Sequence, residues 1–208
     1  MCPNIASKKR TISRAPLSRT YFLSKGCKQV PLEYTRGIVR WAHPDGYFLR
    51  PTGLKAPHNF SPSAQRAASD HNRKMGKGYP VLCVEVQKYC HVLMALAFYG
   101  PRPTYVDKNG KEYVGICHHL IPDPLDYKPA NLLCWLTKEE HAEADRRQGE
   151  LIKTLLERFP SDTKETVLHR LTYTQLRELQ DPRKLSRARF DLIIEKFDIL
   201  TGAESPES

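Results

Sequence analysis

The chain has 208 residues, of which 40% are hydrophobic and 27% charged, with a net charge of +10. This is the composition of a folded chain rather than a disordered one, and the length suits one medium domain with an appendage or two small domains. The longest apolar run, Val92 to Tyr99, falls far short of the ~20 residues of a membrane span, so no membrane partner is expected. The N-terminus lacks the apolar core of a secretory signal. The six cysteines form neither a CxxC pair nor a secreted disulfide framework, so a reducing, cytoplasmic setting is expected. The positive charge is uneven: residues 1–80 hold the whole excess of Lys and Arg, residues 81–137 are balanced, and the remainder is slightly acidic. A basic surface of this kind attracts polyanions through counterion release; its ordinary alternative is solubility.

Residues 1–32 read as a basic arm containing Lys8, Lys9 and Arg10. Their composition also mimics an organellar transit peptide. Gly37–Trp41 and Tyr47–Arg50 are strand-like around a Pro44-Asp45-Gly46 turn, a β-hairpin carrying Arg40, with Arg36 just before it. Residues 52–77 read as a loop with a short helical turn at 63–69. Tyr79–Val86 returns to strand composition, and Val92–Phe98 reads as a short buried helix stopped by Gly100-Pro101. Thr104–Asp107 and Glu112–Cys117 flank an Asn109-Gly110 turn signal and predict a second hairpin, with His118 and His119 at the end of its second strand.

A loop with Pro122, Pro124 and Pro129 leads to a strand at Asn131–Leu136. Thr137 and Glu140 have capping-box spacing, so a helix opens at Lys138 with His141 in its first turns. Leu151, Ile152, Leu155, Leu156 and Phe159 mark an apolar helix face ended by Pro160. Helices are expected from Asp162, with a break at Thr172–Thr174, and after Asp181-Pro182. The expected organisation is an arm (1–32), a central domain (33–149) and a helical C-terminal extension (150–208). The last helices, with Arg183, Lys184, Arg187 and Arg189, read either as a helix-turn-helix-like unit touching DNA or as a cap on the core.

The chemistry concentrates in residues 117–141. Imidazoles from two elements, His118 and His141, can share one divalent ion, and the spare imidazole of the pair, His119, can take a proton from water. His118-His119, Asn131 and His141, in a strand–loop–strand–helix setting, resemble the HNH (ββα-metal) endonuclease motif. The upstream Gly37-Ile38-Val39, Gly78-Tyr79 and the His91-initiated aliphatic segment resemble the region preceding that motif in phage-type and homing-type members. The resemblance spans roughly residues 33–146.

The resemblance implies an α+β, ββα-metal (His-Me finger) fold and a hydrolase that cuts DNA phosphodiesters. It implies His118 and His141 as metal ligands, His119 as general base with an ordinary pKa, and Asn131 as the residue that ties the loop and orients the base. Asp145, four residues after His141, is placed either to complete the coordination or to form a salt bridge. Mg²⁺ or Mn²⁺ is expected, with Zn²⁺ or Ni²⁺ also compatible with a two-His site. Arg146 and Arg147, with Lys8, Lys9, Arg10, Arg36 and Arg40, are the candidate phosphate contacts. Asn131 to His141 is slightly long for the motif, and a bulge near Cys134-Trp135 would absorb the extra residue. Two other readings stand beside this one: a DNA-binding protein with the same fold that does not cut, and a zinc module using Cys117, His118, Cys134 and His141.

Overall fold

The computed structural model describes residues 15–60, 79–84 and 86–195. The chain is mixed α+β, with five helices and antiparallel sheets among the described residues. Ser18 caps the first helix, α1 (Arg19–Ser24), by accepting from the Tyr21 N–H. Phe22 of α1 is fully buried and stacks on Trp41 at 4.6 Å between ring centroids. Strands β1 (Lys28–Gln29), β2 (Trp41–His43), β3 (Tyr47–Leu49) and β4 (Lys55–Ala56) then form an antiparallel sheet in that order. Residues 15–32 are therefore part of this folded layer, not a free arm. The expected hairpin is present, but its first strand begins at Trp41, with Gly37–Arg40 outside it. The segment holding Lys8, Lys9 and Arg10, and the helical turn expected at 63–69, lie outside the described residues.

β5 (His58–Phe60), β6 (Pro80–Val84) and β7 (Val86–Tyr89) make a second antiparallel sheet. Helix α2 (Cys90–Tyr99) follows directly and is apolar nearly all round, with Cys90, Leu93, Met94, Ala95 and Leu96 buried. A helix of that kind belongs in a core, and α2 packs against both sheets and the later strands. Gly100, at φ +85, ends it.

β8 (Thr104–Val106) and β9 (Glu112–Val114) form the small hairpin, with the Asp107 carboxylate accepting from the Asn109 and Lys111 N–H groups across its turn. Here the structure departs from the sequence expectation. The second strand does not run on into the His pair, because the chain turns at Gly115. A side chain at Gly115 would lie 3.1 Å from the Trp135 backbone and 3.3 Å from Pro103. His118 and His119 belong to a separate strand, β10 (Ile116–His119), which pairs with β11 (Leu132–Leu136).

The β10–β11 ladder contains the expected bulge. Ile116 faces Leu136 and His118 faces Leu133, so Cys134 and Trp135 together oppose Cys117, and Trp135 adopts φ +61. An extra residue shifts the side-chain alternation by one. Leu132, Cys134 and Trp135 accordingly join the core around α2, while Leu133 and Leu136 join a second core beneath the C-terminal helices. β11 is buried along its whole length between the two cores.

Helix α3 (Lys138–Arg158) opens with the complete capping box of Thr137 and Glu140. It runs without interruption through residues 149 and 150, so the expected domain boundary falls inside one helix. A 3₁₀ turn at Val167–Arg170 stands where an α-helix was expected, followed by α4 (Tyr173–Gln180), capped by Thr172 and Gln175, and α5 (Arg187–Glu195). Val167, Leu168, Leu176, Leu179 and Phe190 pack with Leu120, Ile121, Leu133 and Leu151 in one core. The C-terminal segment is thus built onto β10, β11 and α3. No helix among the described residues is long and apolar enough to cross a membrane.

Candidate metal centre

Side chains alternate along a strand, and this decides what the His pair can do. His118 points from β10 toward α3, while His119 points toward the start of α2. On α3, His141 and Asp145 are four residues apart and share one face. That face meets His118. The Nδ1 atoms of His118 and His141 lie 3.0 Å and 3.2 Å from the two oxygens of Asp145, and the two rings stand 5.6 Å apart, edge to face. The ligand atoms of His118, His141 and Asp145 all lie within 4.8 Å of one another, and among the described residues this is the one group of three that could hold a metal ion. His118 is buried at 3% exposure, whereas the Asp145 side chain is 54% exposed, so the centre opens to solvent on its carboxylate side.

Electrostatics favour a charged carboxylate. Partial burial alone would raise the Asp145 pKa, but the hydrogen bonds from His118 and His141 outweigh it and hold the carboxyl well below its usual range. Two imidazole nitrogens and an ionised carboxylate oxygen form a donor set of the kind that divalent metal ions take. The residues present therefore fit a metal.

Asn131 ties the loop between the strands. Its side-chain oxygen accepts from the Ile121 N–H at 2.8 Å, and its amide donates to the carbonyl oxygens of Ile121 (3.1 Å) and Asp126 (2.7 Å). Its backbone carbonyl accepts from the Leu120 N–H at 2.9 Å, which fixes the chain just after His119. The C-terminal helices clamp the same loop. Tyr173 donates to Asp126 at 2.5 Å, and Arg177 donates to the carbonyl oxygens of Ala130 and Leu132.

His119 differs from expectation. It is 9% exposed and packs among Tyr79 and His91, with ring centroids 5.9 Å and 5.2 Å away. Burial, followed by the nearby His118, pushes its pKa down to about 4, with Asp126 pulling weakly the other way. The ring is neutral at neutral pH, and its Nε2 finds no hydrogen-bond partner among the described residues. The ordinary pKa expected for this base is thus corrected by desolvation.

The basic candidates divide. Arg147 is 2% exposed, pairs with Glu143 at 2.7 Å and lies over the Phe190 ring. It cannot reach a phosphate, and its assignment as a nucleic-acid contact is withdrawn on that geometry. Arg146 is half-buried and already bound by Glu143 and Glu150. Arg36 is exposed, at φ +50. Arg40 is half-buried and donates to the Val39 carbonyl; burial and then Arg50 lower its pKa.

The cysteine-based zinc set does not assemble. Cys117 and Cys134 face each other at 3.5 Å against the α2 core, on the side of β10 opposite His118.

Two residues with no motif signal complete the centre: Gln148 of α3 and Gln180 of α4. The Gln148 amide donates to the His119 carbonyl at 2.7 Å, and the Gln180 amide oxygen lies 2.9 Å from Nε2 of His118. Gln148 was findable from spacing, since positions 141, 145 and 148 share a helix face. Gln180, 62 residues from its partner, was not.

Comparison of the chain with known protein families, curated proteins and solved structures returns no match.

Proposed function

We propose that this chain is an HNH-type, metal-dependent endonuclease that hydrolyses phosphodiester bonds in DNA. The observation that carries the reading is the convergence of His118, His141 and Asp145 from a strand and a helix, with the adjacent His119 turned to the opposite face. A divalent ion bound there supplies Lewis-acid stabilisation of the developing oxyanion. His118 and His141 hold it through ring nitrogens, and Asp145 adds the negative oxygen. His119 is the base: neutral, with a Nε2 that has no hydrogen-bond partner among the described residues, it accepts the proton of the attacking water. Asn131 holds the loop that fixes the backbone behind His119. Arg36 and the basic N-terminal residues attract the DNA backbone.

The burial of His119 favours a second reading, in which the same metal centre serves a DNA-binding protein that does not cut. A nicking assay on supercoiled plasmid with Mn²⁺, with and without chelator, tests both. Nicking by the wild type that disappears with chelator and in His119→Ala supports the nuclease. DNA binding without nicking by the metal-loaded wild type selects the second reading.

A further inference from the structure

The C-terminal helices form no part of the motif, yet α4 reaches the metal centre. Gln180, its last residue, is fully buried. Its amide nitrogen donates to the Leu120 carbonyl at 3.0 Å, which leaves its oxygen facing Nε2 of His118 at 2.9 Å. Gln148 enforces the same orientation. Its amide nitrogen lies 2.7 Å from the His119 carbonyl oxygen, 3.0 Å from that of Leu120 and 3.2 Å from the Gln180 oxygen. An amide nitrogen has two protons, and its two shortest approaches, to the carbonyl oxygens of His119 and Leu120, account for them. The same nitrogen lies 3.3 Å from Nε2 of His118, the longest of its four approaches.

An amide oxygen only accepts. The ring nitrogen opposite it, Nε2 of His118, must carry its hydrogen. In a neutral imidazole this leaves the lone pair on Nδ1, the atom 3.0 Å from Asp145. A lone pair facing a carboxylate oxygen at that distance requires a positive charge between them, either a proton or a metal ion.

We infer that Gln180 is a positioning residue of the metal centre: by accepting the Nε2–H of His118 it commits Nδ1 of that ring to the ion shared with His141 and Asp145. The C-terminal helical unit is then a working part of the centre and not only a cap on the core. This rests on the metal-binding part of the proposed function and is independent of cleavage.

The test uses the full chain, calorimetric titration with Mn²⁺ and Zn²⁺ alone at neutral pH, and nitrogen-15 NMR of the histidine rings in the zinc-loaded protein. Thermal melts correct each affinity for the folded fraction. Gln180→Met removes the acceptor and is expected to weaken metal binding about 10- to 100-fold, the usual effect of losing a residue that orients a metal-bound histidine. Gln180→Glu keeps an acceptor oxygen and is expected to stay within about threefold of wild type. Wild-type His118 should show a protonated Nε2 and a liganded Nδ1.

Unchanged affinity in Gln180→Met, equal losses in both variants, or a liganded Nε2 would overturn the inference. If Gln180→Met does not fold, Gln180→Glu and the wild-type ring signature decide. A wild type that binds no metal defeats this inference and the metal centre together. One that binds metal and leaves plasmid intact defeats only the nuclease.

Discussion

His118 and His119 share a peptide bond and face opposite sides of β10. His118 meets Asp145 at 3.0 Å, while His119 lies against His91 on the α2 side. An extended backbone makes this division unavoidable, so the two imidazoles cannot ligate one ion together. His118→Ala and His141→Ala should each weaken Mn²⁺ binding by on the order of 100-fold, while His119→Ala binds as wild type. Plasmid nicking should fall in all three, by on the order of 10²–10⁴-fold for loss of the base. Calorimetry and gel assays on the same preparations check the pattern. A loss of metal affinity in His119→Ala matching that in His118→Ala would remove the proposed division of roles.

The parts of this site readable in the sequence were those carried by local signals. The capping box at Thr137 and Glu140 placed His141 and Asp145 on one helix face, and the long interval from Asn131 to His141 announced the bulge at Cys134-Trp135. The pairing of β10 with β11 was not readable. An Asn-Gly turn advertises its own hairpin, whereas the close approach of Gly115 to Trp135 that ends β9 is tertiary. Arg147 was misjudged as a surface residue although its position held the answer. It lies three residues after Ala144 and four before Leu151, both fully buried, and so falls on the inward stripe of α3.

Arg147 should therefore matter for stability and not for DNA. Arg147→Ala removes a buried guanidinium, leaves Glu143 without one of its two partners and uncovers Phe190. A loss of about 2–4 kcal/mol is expected, toward the lower side of broken buried pairs because Glu143 keeps Arg146. Arg146→Ala, on the exposed side of the helix, should change stability by no more than about 0.5 kcal/mol. Urea titrations measure both. The salt dependence of DNA binding should be unchanged in Arg147→Ala once the folded fraction is matched; a shallower slope would return Arg147 to the phosphate contacts.

His91 gives the fold a sensitivity to acid. Burial, then the neighbouring His119 and Arg102, push its pKa down to about 3. The Tyr79 and Tyr89 rings also pack against it, with centroids 5.1 Å and 5.6 Å away. The unfolded chain titrates this ring near ~6.5. Between those values the unfolded state holds a proton that the folded state refuses. Stability is thus complete above the unfolded value and falls as the pH drops toward the folded one, by about 1.4 kcal/mol per pH unit for each such proton. His119, pushed down in the same sense, adds a second proton over much of that range. Denaturation midpoints measured from neutral to mildly acidic pH should decline in the wild type. His91→Phe should remove about half of that slope; an unchanged slope would mean that His91 titrates normally in the folded protein.

Asn131 is the most exacting position in the loop. It is fully buried, and it satisfies the N–H and carbonyl of Ile121 and the carbonyl of Asp126 at once. Asn131→Ala strands the Ile121 N–H and the Asp126 carbonyl, while the Ile121 carbonyl keeps the Asp123 N–H at 2.7 Å; the cost is about 1–3 kcal/mol for each stranded group that water cannot reach. A total loss of about 3 kcal/mol or more is expected. Asn131→Asp should be no better, because it keeps the acceptor for Ile121 N–H but turns a second oxygen toward two carbonyl oxygens. The two variants also separate a tie from a ligand. Asn131 contacts none of the three metal donors, so in whatever fraction folds, Mn²⁺ affinity should remain near wild type in both. Nicking per folded molecule should drop, because the backbone at Leu120, next to His119, loses its fixed register. Tighter Mn²⁺ binding in Asn131→Asp would show that the loop brings position 131 to the ion and would require a different centre from the one drawn here.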